Sequence, residues 1–276
     1  MTESRELLFT ITLVLYFGAA VLYLWSLAGA SVRRSRFAAA LMALGLAAHT
    51  AGMIIIGIEQ HRMPFTNLFE SLMFGTWVLV AIYLVLEIRY CITALGAYVG
   101  LASSIAVILG SALPKDVSIS LLPALRSHWS SVHITSCLIG YAGFAMAFGA
   151  AVCYALQEHL LKTKRINTLQ KRLPSLDAMD HLAYKMVALG FPMLTLGIVT
   201  GSLWAQTAWG SYWNWDPKET WSLITWLVYA AYLHVRIVQG RRGRWSNRLL
   251  IAGFACILIT FFPLNFISSG LHKYSW

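Results

Sequence analysis

The strongest constraint on this chain is a succession of long apolar runs that carry almost no charge. A segment crossing a bilayer needs about 20 mostly apolar residues, and a helix is the form in which such a segment pairs its own peptide groups. Runs of this kind are read at 7–28, 37–58, 68–88, 91–112, 129–157, 183–203, 219–238 and 249–266. With their connections they consume nearly all of the 276 residues. The expected fold is therefore all-α: a polytopic integral membrane protein of about eight transmembrane helices, forming a single membrane domain over 1–276. Only 12% of the residues are charged, where soluble domains carry roughly 25%, so a soluble enzyme is excluded. Ala28, Gly29 and Ala30 make a small-x-small pattern after the first run. That run is too long for a signal peptide and lacks a basic leading segment, so an uncleaved anchor is expected.

Orientation is read from Lys and Arg, which concentrate in cytoplasmic loops. With the N-terminus outside, the inner loops and flanks hold Arg33, Arg34, Arg36, Arg89, Lys162, Lys164, Arg165, Lys171, Arg172, Lys185, Arg236, Arg241, Arg242, Arg244 and Arg248, fifteen of the 21 basic residues. Both termini and the connections near 59–67, 113–128, 204–218 and 267–276 are then expected outside. The net charge of +10 is explained by these loops, and no separate basic face suggests nucleic acid. The stretch 160–180 reads as a solvated inner loop, with docking of a partner or an anionic headgroup as the other use. Four cysteines, Cys91, Cys137, Cys153 and Cys256, form no close pair and no CxxC or CxxCH. A disulfide framework is not legible, and the chain is not itself a c-type cytochrome. No fixed-period repeat or low-complexity tract stands out.

Five of the eleven tryptophans fall in LWAQTAWGSYWNWDPKETW, between residues 204 and 221. Tryptophan anchors helix ends at the membrane interface, but such a belt needs one or two aromatics per end, and Trp209, Tyr212, Trp213 and Trp215 sit between two helices. A flat aromatic surface for a large planar apolar ligand is the other reading. Asp216, Pro217, Lys218 and Glu219 spell a helix start with an N-cap acceptor, proline at the first helical position and a glutamate to close a capping box. A rigid cap would hold the aromatic surface in one geometry.

The string WGSYWNWDPKETW resembles the tryptophan-rich "WWD" signature of the haem-handling proteins of cytochrome c biogenesis, matched by Trp209, Gly210, Trp213, Trp215 and Asp216. Within that superfamily the chain is most similar to the CcsA (ResC) type of the System II pathway. PFTNLFESLMF, residues 64–74, resembles that type's segment before its third span, with Asn67, Glu70 and Ser71 in matching positions. Asn67 could also cap the third helix with Glu70 closing the box.

Histidine is the common axial ligand of haem iron, and eight are present. His133, at the outer start of the fifth span, and His272, in the outer tail, share the side of the tryptophan loop and could grip one haem from opposite faces. His49 and His234 lie within spans, where an ionisable residue is a functional hypothesis by default. The resemblance implies that His133 and His272 are the outer haem ligands and that His234 helps to ligate an inner, membrane-embedded haem. The other inner ligand is either His49 or a histidine of a partner protein. His61, His128, His159 and His181 read as interfacial.

What the resemblance implies is a haem-binding membrane component of the System II cytochrome c synthase, part of a haem lyase complex. Non-covalent haem b, as cargo, would move outward and be presented under the loop at 204–220 for attachment to an apocytochrome c bearing CxxCH. The protein would supply ligation, orientation and water exclusion, and paired histidines would tune the iron potential toward the reduced haem the pathway needs. A CcsB-type (ResB) membrane partner is implied, with thiol-reducing proteins as further partners. The membrane would be a bacterial inner or plasma membrane, or a thylakoid. The rival reading from the residues is a b-type cytochrome subunit for transmembrane electron transfer, which would use His49 with His234 but has no need of the tryptophan loop. A transporter would show broken helices or paired repeats, and neither is clear.

Overall fold

In the computed structural model, residues 2–29, 31–114, 127–164 and 169–262 are described, and their regular elements are all helices. These are α1 (Thr2–Gly29), α2 (Val32–Gln60), α3 (Leu68–Tyr90), α4 (Ala94–Ser111), α5 (His128–Lys162), α6 (Leu176–Trp209), α7 (Pro217–Ile237) and α8 (Arg244–Phe261). Each coincides with one of the apolar runs. Among the described residues, α1 to α6 are long and apolar enough to cross a membrane. Helices α7 and α8 fall short of that standard. In α7 the aliphatic content is diluted by Trp221, Trp226, Tyr229 and Tyr232 beside Lys218, Glu219 and Arg236, and α8 is 18 residues long with Arg244 and Arg248 inside it.

Helices α5 and α6 have 35 and 34 residues, about 50 Å at 1.5 Å per residue, so both outreach a hydrocarbon core of about 30 Å. They pack along each other as the most extensive helix pair. The reason is small residues at the seam: a Cβ on Gly140 would stand 3.1 Å from the carbonyl oxygen of Gly190, and one on Gly190 2.9 Å from that of Gly140. Small side chains are the usual means of close helix approach in lipid, where water supplies no force between helices. Helices α1 to α4 form one group, α1 packing on α2 and α4, and α3 on α2 and α4. Helices α5 to α8 form the other, joined to the first mainly through α3 on α5.

Hydrogen bonds tie helix to helix where a polar group would otherwise be stranded in an apolar surround. Trp77 Nε1 donates to Thr50 Oγ1 at 2.8 Å (α3 to α2), Tyr98 Oη to the Ala145 carbonyl at 3.0 Å (α4 to α5) and Asn247 Nδ2 to the Ala151 carbonyl at 2.9 Å (α8 to α5). Trp226 Nε1 of α7 donates at 2.9 Å to Thr195 Oγ1, which itself donates at 2.8 Å to the Phe191 carbonyl beside Pro192 of α6.

The helices alternate in direction, giving the bundle two chemically different ends. One gathers the basic residues. There Arg236 makes a two-pronged pair with Asp180, at 2.8 Å on each prong, Arg244 meets Glu158 at 2.7 Å and Lys185 Nζ donates to Tyr90 Oη at 3.0 Å. The other carries the α6–α7 connection, the start of α5 and the α2–α3 connection. The side chains that face outward along the helices are apolar, among them Leu7, Val14, Ile54, Ile58, Val85 and Leu227, as a lipid-facing surface requires.

Candidate functional site

Helix α6 ends at Trp209 because Gly210 follows in the left-handed region, φ 77°, and donates its N–H to the Gln206 carbonyl at 3.1 Å. Glycine takes that conformation without a Cβ clash. The non-helical part of the tryptophan-rich stretch is therefore 210–216, shorter than the 204–220 loop expected, with Trp204 and Trp209 carried on α6. At the far side of the loop the expected helix start is present. An Asp216 carboxylate oxygen accepts from the Lys218 N–H at 2.8 Å, and Glu219 Oε2 accepts from the N–H groups of Asp216 at 3.2 Å and Asn214 at 2.8 Å, with Pro217 at the first helical position. Both carboxylates are buried, so three backbone donors are satisfied inside the protein rather than by water.

That clamp holds an unusual backbone. Trp215 sits at φ 56°, a region that costs a non-glycine residue about 1–3 kcal/mol, and its side chain is 69% exposed. Trp213 meets it edge-on, with ring centroids 5.9 Å apart, and Tyr212 is also exposed. The loop thus presents large aromatic surface outward on a fixed backbone. Burial pushes the Lys218 ammonium, which lies just before the 219–238 span, down to about 8, with the neighbouring Asp216 carboxylate acting the other way.

His133 stands one turn and a half into α5, at the same end of the bundle. Its Nδ1–H donates to the Gly197 carbonyl of α6 at 2.7 Å. A carbonyl can only accept, so Nδ1 carries a proton and this bond fixes the orientation of the ring. The ring lies over buried Trp204, centroids 6.0 Å apart and planes 23° apart, and Trp204 meets Trp209 edge-on at 5.2 Å. A continuous run of rings therefore leads from His133 to the residue at which the loop begins. Cys137 Sγ, one turn along α5, lies 3.8 Å from Nδ1. The site residues read from the sequence as Trp209, Gly210, Trp213, Trp215 and Asp216 thus share one loop and its helix end, and His133 is joined to them through Trp204. His272 lies outside the described residues.

The other histidines are elsewhere. His49 is fully buried on α2, its Nδ1 3.2 Å from Tyr16 Oη and its ring edge-on to Phe9 at 5.7 Å, while its Nε2 has no hydrogen-bond partner among the described residues. His234 is exposed in the last turn of α7. The two are not brought together, since α2 packs on α1 and α3 and α7 on α6 and α8. His61, His128, His159 and His181 are all exposed. No group of three or more His, Cys, Asp or Glu side chains among the described residues could hold a metal ion.

Asn67 caps α3 as expected, accepting from the Glu70 N–H at 2.8 Å, but Glu70 does not close the box in the usual way. Its Oε2 accepts from the N–H of Thr66, one residue before the cap, at 2.8 Å and from Arg62 at 2.6 Å, and its Oε1 accepts from Arg62 at 2.9 Å and Asn67 Nδ2 at 3.0 Å. With both oxygens occupied by these four donors, Glu70 is bound into the α2–α3 connection. An apolar cavity of about 450 Å³ opens beside it between α2 and α3, lined in part by Thr50, Met53, Phe74 and Trp77, and none of the described histidines borders it.

Gly197, Gly201 and Trp204 lie outside the set read as ligands, because glycine has no side chain and the tryptophan indole N–H only donates, so neither type offers a lone pair to iron. The signal that marks them is the spacing G-x-x-x-G at 197–201 on an apolar helix, with Trp204 one turn further on.

Comparison with known proteins places these features in context. Residues 65–272 match the family model described as cytochrome C assembly protein. The cytochrome c biogenesis protein CcsA of Guillardia theta is 38% identical over 244 residues, covering 81% of this chain and 81% of that protein. The CcsA proteins of Microcystis aeruginosa and of Synechocystis sp. are 35% and 32% identical, each over 79% of this chain and over 81% and 82% of their own lengths. Among solved structures, the cytochrome c heme lyase CcmF superposes with a TM-score of 0.71 at 21% identity over 94% of this chain. The chain spans about half of that protein, 46% of its length, and at this identity the likeness is one of fold.

Proposed function

The chain belongs to the cytochrome c assembly proteins and to their CcsA type, and from that premise we propose that it binds haem as its substrate and presents it beneath the tryptophan loop for covalent attachment to an apocytochrome c. The observation that carries the reading is the seat of His133. A metal-ligating histidine characteristically gives its other ring N–H to a carbonyl or carboxylate, which fixes the tautomer and the ring plane. His133 does so toward Gly197, with Trp204 flanking the ring and the rigid aromatic loop directly beyond.

His133 and His272 would hold the iron from opposite faces, and Trp209, Trp213 and Trp215 would lie against the macrocycle. The cargo is haem b, whose vinyl groups remain available to the two thiols of a CxxCH segment. In each addition a C–S bond forms and the thiol hydrogen passes to the vinyl group. The chain's own contribution is to orient the ring and exclude water while this happens. We place the tryptophan-loop end and both termini on the outer side of a bacterial inner or plasma membrane, or of a thylakoid, because the basic residues gather at the opposite end.

His234 would take part in an inner haem site. Its exposed position on α7 suits a ligand completed by a histidine of a CcsB-type partner. His49 fits that role less well, since Phe9 and Tyr16 close over it: a Cβ on Gly52 would stand 3.2 Å from Phe9, and one on Gly45 2.7 Å from Tyr16. The separation of His49 from His234 likewise gives no support to an electron-transferring haem pair between them.

The test is an absorption spectrum of the purified chain, alone and with its partner. A low-spin haem signal that falls in the His133→Ala, His272→Ala double variant is expected. Haem spectra unchanged in that variant would overturn the outer site. His234→Ala is expected to lower total haem, and normal content would remove His234 from the inner site.

A further inference from the structure

Helix α6 meets the Nδ1 edge of His133 through two glycines. Gly197 supplies the carbonyl that accepts the Nδ1 proton at 2.7 Å. Gly201, one turn on, leaves space for the ring by having no side chain: a Cβ there would stand 2.6 Å from Nδ1, 2.8 Å from Cε1 and 3.4 Å from Cγ of His133. Distances below 3.0 Å are sub-van-der-Waals, so any side chain at 201 would drive the imidazole off its seat. Gly197 has a second constraint, since a Cβ there would clash with Cys137 Sγ and lie 3.2 Å from the Cys137 nitrogen. The Gly197 carbonyl is held in place by its own helix and also accepts from Thr200 Oγ1 at 3.3 Å.

We propose that Gly197 and Gly201 are positioning residues for haem ligation: the first fixes the tautomer of His133 and the second leaves the room in which its ring lies against Trp204. The inference rests on the reading of His133 as a haem ligand. It goes beyond that reading by assigning the geometry of the ligand to α6 rather than to α5, on which the histidine is carried. The same two glycines are part of the small-residue seam between the helices, and a role in packing alone predicts something different. Packing would make every seam glycine equivalent. Positioning singles out Gly201, whose side-chain space is filled by His133, from Gly190, which lies eleven residues away and abuts Gly140 and Phe144.

The experiment is a haem titration of the full chain purified in detergent, followed by absorption, with helix content checked by circular dichroism. His133→Gly is measured first and is expected to lose the low-spin signal and to regain it on addition of free imidazole. Gly201→Ala is then expected to weaken haem binding about 10–100-fold, the range found when a partner that orients a metal ligand is removed, with helix content retained. In the His133→Gly, Gly201→Ala double variant free imidazole is expected to restore the signal as fully as in His133→Gly, because an untethered ring can shift away from the new methyl group. Gly190→Ala is expected to leave haem affinity unchanged.

If His133→Gly has no effect on the spectrum, the ligand reading itself fails and the positioning role falls with it. If His133→Gly loses the signal while Gly201→Ala binds haem normally, the ligand reading stands and the positioning role is overturned. Equal losses in Gly190→Ala and Gly201→Ala, or no imidazole rescue in the double variant, would make the glycines packing residues only.

Discussion

Replacing Glu70 by alanine tests whether this buried carboxylate is an anchor of the α2–α3 connection or part of a ligand cavity. Glu70 is 1% exposed and accepts from Arg62, Asn67 and the Thr66 backbone. Truncation leaves the Arg62 guanidinium without its counter-charge, although it still donates to the Met63 carbonyl and the Thr66 hydroxyl, and it removes the acceptor of an amide and a backbone N–H. Breaking a buried ion pair from one side costs about 3–5 kcal/mol. The Arg62 side chain is 16% exposed and can recover some hydration, so the lower end applies, about 3 kcal/mol. At about 2–4 °C per kcal/mol for a chain of this size, the melting temperature should fall by about 6–12 °C. Thermal unfolding in mild detergent, followed by far-ultraviolet circular dichroism, measures it. The Arg62→Met, Glu70→Met double variant removes the stranded charge and should recover at least about 1 kcal/mol of the loss. A Glu70→Ala protein that melts within 2 °C of the parent, or a double variant no better than the single, would refute the anchoring argument.

Asp216→Ala removes one member of the capping box and should cost about 1 kcal/mol. The larger effect expected is on Trp213 and Trp215, whose fluorescence should shift to the red as the loop loosens, and an unchanged spectrum would count against the cap as the source of loop rigidity. Lys218 is held below the ordinary lysine value of about 10.4 and titrates near 8 in the folded protein. Between those values the unfolded chain binds the extra proton, so stability should rise with pH across the window and the full deficit should be present below about pH 8. Lys218→Met should flatten that rise in a series of melts at different pH. Trp226→Phe leaves Thr195 without the indole donor, and a loss of about 1 kcal/mol in detergent unfolding is expected, in line with interhelical hydrogen bonds in other membrane proteins.

The number of helices and their approximate limits were legible because the signals are local. Apolar run length, the Asn67 cap and the Asp216-Pro217-Glu219 helix start each act within one turn or one span, and all are where the sequence places them. The gathering of aromatics at the α6–α7 connection was legible for the same reason. Less so was its shape: α6 runs on to Trp209 because Gly210 is the first residue to leave the helical region, and the apolar pattern alone does not mark where a helix outlasts the membrane. The relation of His133 to the loop, the role of two glycines 64 and 68 positions away from it, and the fourfold engagement of Glu70 by Arg62, Thr66 and Asn67 were decided only by tertiary structure. They depend on how closely α5 and α6 approach, and on how the α2–α3 connection folds back. Those distances are set by contacts between residues far apart in the chain, for which composition and periodicity carry no record.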